Sequence, residues 1–141
     1  AGNSDGYVGI GSGKAKETVP AREKALRNAK LNIIKIKRGS GSWESEAAEF
    51  NSVPCKVEGK MGSSRMILMS APKGTGLRVE KECAKLLELA GIKDVYSKTF
   101  GQSRTKMNLV YACFNALKEL SKIKMKEEFL QRAGVISGHA K

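Results

Sequence analysis

The residues best placed to do chemistry are Lys14 and Lys16, which follow a run of alternating glycines, Gly9, Gly11 and Gly13. Lysines at the end of a glycine-rich turn, where a helix begins and its first N–H groups have no intrahelical partner, make an anion site, and phosphate is the foremost candidate anion. A nucleotide-binding turn would need more. A dinucleotide fingerprint requires G-x-G-x-x-G, but these glycines give G-x-G-x-G and Lys14 stands where the third glycine belongs. A P-loop requires a glycine five residues before the glycine–lysine pair and Ser or Thr after it; Val8 and Ala15 occupy those places. What remains is contact with a phosphate backbone, set against the plainer alternative of a glycine-rich turn carrying two solvated lysines.

Other chemistry finds little support. The chain's one histidine, His139, lies near the end, so no Ser-His-Asp or Cys-His pairing is expected. The carboxylates are scattered, and Glu80 and Glu82 fall at a helix start, where acids complement the helix dipole. Cys55, Cys83 and Cys113 form no C-x-x-C, so neither a zinc site nor a disulfide framework is expected; they read as reduced cysteines filling small gaps in the core of an intracellular protein. No cofactor is called for.

Charge points to a partner instead. The 141 residues hold 26 basic against 14 acidic side chains, a net +12, which fits a polyanion such as nucleic acid. The surplus is spread along the chain without a block of like charge, so it belongs to a folded surface. There is no apolar run near the length of a membrane span and no signal peptide, so no membrane partner is expected. Aromatic residues make up 6%, which argues against stacking on unpaired bases as the main mode of binding.

The elements that position these residues follow from periodicity. Tyr7 to Ile10 reads as a strand with no partner strand before or just after it, which, with the absence of an initial Met, suggests a missing upstream segment. A helix is predicted over 18–32, capped by Thr18, with Pro20 in its first turn and Ala21, Ala25, Leu26, Ala29 and Ile33 as its apolar stripe. Ile33, Ile34 and Ile36 then suggest a short extended exit. Residues 39–42 read as a flexible joint and Trp43 as an anchor, followed by an acidic patch of Glu44, Glu46 and Glu49; the domain boundary is placed here. Strands are predicted at 53–60 and 64–71 around a Gly62-Ser63 hairpin, the second apolar on both faces and therefore central. A glycine turn at 72–76, a short strand at Leu77–Val79, a helix at 80–90 ended by Gly91, a strand at 95–100, a polar turn at 101–106 and a helix at 106–121 complete the pattern. Beyond Ser121 only a short helix around 126–133 is expected, with a frayed end. Three glycine turns thus lie beside basic residues: Lys14 and Lys16 at the first, Arg65 and Lys73 at the second, Arg104 and Lys106 at the third. That arrangement suits binding a folded polyanion through its shape and phosphates.

Five stretches resemble a known family. Gly6 to Glu17 is similar to the strand–loop–helix signature of small ribosomal subunit protein five. Pro72 to Gly76 and Leu86 to Val95 resemble its second-domain signatures, in the right order. Gly59 to Ser63 and Ser97 to Gln102 are similar to the archaeal and eukaryotic branch.

The resemblance implies an α+β fold of two small α/β domains. The first would be a partial double-stranded-RNA-binding-like domain over 1–38. A linker over 39–52 would follow, then a two-layer α/β domain with a left-handed βαβ crossover over 53–121 and a C-terminal extension over 122–141. It implies a structural, non-catalytic protein of the small subunit in the cytoplasm. Such a protein binds subunit rRNA near the mRNA entry side, touches ribosomal proteins four and eight and supports decoding accuracy. RNA contacts carry over to the first loop, Gly11, Ser12, Gly13, Lys14 and Lys16. Arg22, Arg38, Arg65, Arg104 and Lys106 join them as basic candidates. The contact with protein four carries over to Gly74, Thr75 and Gly76 and to the following residues, including Arg78, although Glu80, Lys81 and Glu82 depart from the family's small residues there. Some archaeal relatives carry a Cys/His linker, but Ser45, Ala47 and Asn51 stand at those places here, so no metal is expected. The rival readings are a small-molecule phosphotransferase and a free-standing double-stranded-RNA-binding protein.

Overall fold

The glycine run that opens the chain sits between a short strand and a helix. The computed structural model describes residues 1–40 and 50–139. The expectations for Trp43, for the acidic residues Glu44, Glu46 and Glu49, and for Ser45 and Ala47 lie outside the described residues.

Strand β1 (Tyr7–Val8) leads through residues 9–17 into helix α1 (Thr18–Leu31) and then strand β2 (Ile34–Lys35). β1 pairs antiparallel with β2, Tyr7 opposite Lys35 and Val8 opposite Ile34. Periodicity predicts no partner for β1; the partner is the isoleucine segment expected as an extended exit. Its two residues are too few for a period-2 pattern to stand out against the helix before it. The N-cap of α1 is Glu17 rather than Thr18, and its side chain makes no capping hydrogen bond.

Strand β3 (Lys37–Arg38) follows, and then a four-stranded sheet. Strands β4 (Val57–Met61) and β5 (Ser64–Ser70) form the expected hairpin about Gly62-Ser63, with Met61 opposite Ser64. Strand β6 (Leu77–Arg78), helix α2 (Lys81–Ala90) and strand β7 (Val95–Phe100) form a parallel crossover unit, and helix α3 (Lys106–Lys122) closes the layer. The sheet order is β4-β5-β7-β6, which places β5 centrally, as its two apolar faces require. Glu80 caps α2 by accepting a hydrogen bond from the Glu82 amide. Gly91 ends the helix at φ +81°, a left-handed conformation that glycine adopts without a Cβ penalty.

Periodicity puts the helices on one face of the sheet. Cys83, Leu86, Leu87 and Ala90 of α2, and Leu109, Ala112, Cys113, Ala116, Leu117 and Leu120 of α3, are buried against Val57, Met66, Leu68 and Val95. Each large aliphatic side chain buried this way contributes on the order of 2 kcal/mol before chain entropy is charged against it. Val8 and Ile36, from either side of α1, are fully buried in the same cluster. Backbone bonds from the Ser4 amide to Leu89 (2.9 Å) and the Gly6 amide to Ala90 (3.1 Å) fasten the first residues to the end of α2.

Where a frayed end was expected, residues 127–137 form a helix and a paired strand. Helix α4 (Glu127–Arg132) leads to strand β8 (Ile136–Ser137), which pairs antiparallel with β3, Arg38 opposite Ile136. Two residues pairing across about a hundred positions leave no local signal. No helix among the described residues is long and apolar enough to cross a membrane.

Candidate nucleic-acid interface

The glycines of the first loop face their own helix. A Cβ built on Gly9 would stand 2.3 Å from the Ala29 carbonyl oxygen, one on Gly11 2.1 Å from the Ala29 amide nitrogen, and one on Gly13 2.3 Å from the Ala21 carbonyl oxygen and 2.6 Å from the Ala25 nitrogen. Two residues of extended chain advance about 6.7 Å and four residues of helix about 6 Å, so a glycine at every second position matches an alanine at every fourth. Backbone then meets backbone along Ala21, Ala25 and Ala29. The apolar stripe of α1 is therefore a row of small residues, and Leu26 and Ile33, read as part of it, remain about half exposed.

Beyond that packing Ser12, Lys14 and Lys16 are exposed, as are Ala15 and Glu17, while Ile10 is half-buried against the core. Asn28 and Asn32, one turn apart on α1, hold the loop by donating from their amides to the Ser12 carbonyl (2.8 Å) and the Ile10 carbonyl (3.3 Å). The sequence reading missed both asparagines; their i, i+4 spacing on the helix was the available signal. Arg22, also exposed, borders a groove with Gly9, Gly11, Leu26 and Lys85.

The third turn meets the first. Lys106 and Met107, at the start of α3, share a shallow pocket with Ile10 and Gly11. The Lys106 ammonium lies 3.6 Å from the Glu80 carboxylate. Glu82, on the same pocket's wall, has its carboxyl held below the usual range by the hydrogen bond and charge of Lys85. Arg104 is exposed in the turn, which is fixed to the β4–β5 hairpin by a bond from the Ser64 hydroxyl to the Gln102 carbonyl (2.8 Å).

Two expectations need correction. Arg65 does not flank the second glycine turn. It stands on the outer face of β5 opposite Phe100, its guanidinium 5.7 Å from the ring centroid and 3.6 Å from Glu58, beside the third turn. The hairpin register decides this, since Arg65 begins the strand and the 72–76 turn follows its far end. Arg38 is no surface cation. Its side chain is 4% exposed, paired with Asp5, donating to the Gly138 carbonyl (3.1 Å) and lying over the Phe50 ring. A guanidinium so enclosed is not open to a phosphate.

The second turn offers a different surface. Thr75 donates from its hydroxyl to the Pro72 carbonyl (2.8 Å), and the Gly76 amide donates to Asp94 (2.8 Å), which also accepts from the Asn51 amide (2.6 Å). A Cβ at Gly74 or Gly76 would meet nothing within 4 Å, so the outer side of the turn is open. Arg78 is exposed on β6, at the sheet edge. Among the described residues no group of three His, Cys, Asp or Glu side chains could hold a metal ion, and His139 is engaged with Asp5.

Residues 1–37 match the family described as ribosomal protein S5, N-terminal domain, and residues 59–129 match ribosomal protein S5, C-terminal domain. The chain belongs to the ribosomal protein S5 family. Proteins named small ribosomal subunit protein uS5 are similar to it along most of its length. The one from Nanoarchaeum equitans is 49% identical over 97% of this chain and 59% of its own. That from Methanothermobacter thermautotrophicus is 49% identical over 96% and 63%, and that from Hyperthermus butylicus 53% identical over 86% and 57%. The chain thus spans about three fifths of the length of these S5 relatives. The family likeness first drawn from the Gly6–Glu17, Pro72–Gly76 and Leu86–Val95 motifs is the right one, and in this S5-family chain the first of them is the glycine–alanine joint of β1 and α1.

Proposed function

We propose that this chain is a structural, non-catalytic constituent of the small ribosomal subunit in the cytoplasm, and that it binds subunit rRNA through phosphate and shape contacts. The observation that carries the reading is the exposure of Ser12, Lys14 and Lys16 on a loop whose Gly9, Gly11 and Gly13 pack backbone to backbone on α1, in a chain of the S5 family. The packing matters because a loop backbone already held against its helix need not be ordered when it meets RNA. Gly11, Ser12, Gly13, Lys14, Lys16, Arg22 and Lys106 lie around the first loop and form the proposed RNA-contact surface, with Arg104 in the third turn and Arg65 beside it.

In the finer reading the protein sits near the mRNA entry side, supports decoding accuracy and adjoins ribosomal proteins four and eight. The turn Gly74, Thr75 and Gly76 with Arg78 is proposed as the contact with protein four; its open outer side and its anchoring through Asp94 support that assignment. The domain limits at 1–38 and 53–121, joined by 39–52 and extended by 122–141, are proposed on the same footing.

The test is sedimentation of a cell extract through a sucrose gradient at moderate salt, followed by immunodetection. The protein is expected to travel with the small subunit and to remain after salt that strips loosely bound proteins. Recovery only at the top of the gradient would overturn the ribosomal assignment and return the choice to a free-standing RNA-binding protein.

A further inference from the structure

The helices cover one face of the four-stranded sheet; on the other face Lys60, Arg65, Tyr96, Lys98 and Phe100 are exposed among the described residues. Its register sets three rungs of side chains. Lys60, Arg65 and Phe100 stand opposite one another, then Glu58, Ile67 and Lys98, then Met69, Tyr96 and Arg78. Four cations share this face with one carboxylate. Tyr96 and Phe100 are each 41% exposed, although large aromatic side chains are usually buried for the area they carry. They are separated on β7 by Lys98, so rings and cations alternate.

We propose that this face is a second RNA-contact surface, one that takes unpaired nucleotides by stacking bases on Tyr96 and Phe100 while Arg65, Lys98 and Arg78 pair with the phosphates. The proposal rests on the rRNA-binding reading and extends it from paired to unpaired RNA. Charge selects the partner class, since four cations against Glu58 complement a polyanion. The rings select the form. Four residues of strand place Tyr96 and Phe100 about 13 Å apart, well beyond the 3.4 Å step of stacked bases, so they suit splayed bases rather than a duplex. The Arg65 guanidinium lies over the Phe100 ring, 5.7 Å from its centroid, so ring and guanidinium form one unit, and the guanidinium plane is itself a surface on which a base can stack. Its ion pair with Glu58 is long and half-exposed, and a phosphate can displace it. The 6% aromatic content discounted stacking, but two of those few rings share one exposed face.

The test uses the full chain and two probes, a short unstructured RNA carrying 2-aminopurine and an RNA duplex of about 16 base pairs. Tyr96→Ala and Phe100→Ala are each expected to weaken single-strand binding about tenfold and to reduce the quenching of 2-aminopurine, leaving duplex affinity within about twofold. Lys98→Glu, at an exposed position, is expected to do the same and serves if an aromatic variant fails to fold. If wild type binds both probes and all three variants match it on the single strand, the sheet face is not an RNA surface, while the rRNA reading stands. If wild type binds neither probe, both readings fail. If the variants bind both RNAs normally yet no longer enter reconstituted subunits, the face belongs to a protein partner and the proposal is overturned.

Discussion

A β-carbon built on Gly11 would stand 2.4 Å from the carbonyl oxygen of Ala25, closer than any real contact of that kind. The atoms in the way are helix backbone, which cannot swing aside as a side-chain tip can. Gly11→Ala is therefore expected to push α1 off the loop, at a cost of about 3 kcal/mol, the upper end of ordinary overpacking. Gly74→Ala makes the useful contrast. It meets open space and carries only the strain of φ +86°, about 1 kcal/mol. Urea denaturation should rank the two variants in that order, and a Gly11→Ala chain as stable as wild type would refute the packing.

Lys14 and Lys16 face away from that joint and are exposed. Replacing either by alanine is expected to leave the unfolding midpoint unchanged and to lower the slope of log affinity against log salt, measured with an RNA duplex, by about one unit each. An unaltered slope would remove these lysines from the phosphate contacts.

The sequence made the long elements legible, and of the short ones β1, β6 and α4, but not the pairing of β2, β3 and β8. Helices α2 and α3 carry period-3.6 stripes over nearly three and nearly five turns, and Gly91 marks the end of α2 in plain view. Strands β2, β3 and β8 have two residues each, and their pairing is decided by tertiary packing that local pattern does not encode. At the candidate site, the alternating glycines announced a close backbone approach, but not that the approaching backbone was α1. Arg38 misled for a physical reason: an arginine beside a glycine-rich joint looks solvated until Asp5 and Gly138, far away in the chain, close over it.

Arg38 joins the first residues to the last. It pairs with Asp5, itself engaged with His139, and donates to the carbonyl of Gly138 just beyond β8. Arg38→Met keeps much of the volume but leaves Asp5 without that charge. Because Asp5 is partly exposed, the expected loss is about 3 kcal/mol, the lower end for breaking a buried pair. Hydrogen exchange at residues 136–138 should accelerate, while the salt slope of RNA binding stays as in wild type. A reduced slope would restore Arg38 to the RNA contacts.

Cys83 and Cys113 face each other across α2 and α3, both fully buried. The hydrogen bond shared with Cys83, then burial, push the Cys113 thiol well above its ordinary value of 9.0. In the unfolded chain that thiol ionises near its ordinary value, whereas in the folded chain it stays protonated to higher pH. Below that value both states hold the proton and the thiol adds no pH dependence. Above it the unfolded state binds fewer protons, so stability falls as pH rises toward the folded value, by at most about 1.4 kcal/mol per pH unit. The same hydrogen bond lowers the Cys83 thiol, whose ionisation in the folded chain opposes this fall below the ordinary value, so the comparison is made above it: urea midpoints at about pH 9.5 and pH 10.5 should drop further for wild type than for a Cys83→Ala, Cys113→Ala double variant. Alanine shifts the baseline through lost packing but leaves the titration of lysines, tyrosines and Cys55 common to both chains, so only the difference in slope counts. Equal drops would show that the thiol pair is not shielded from ionisation in the fold.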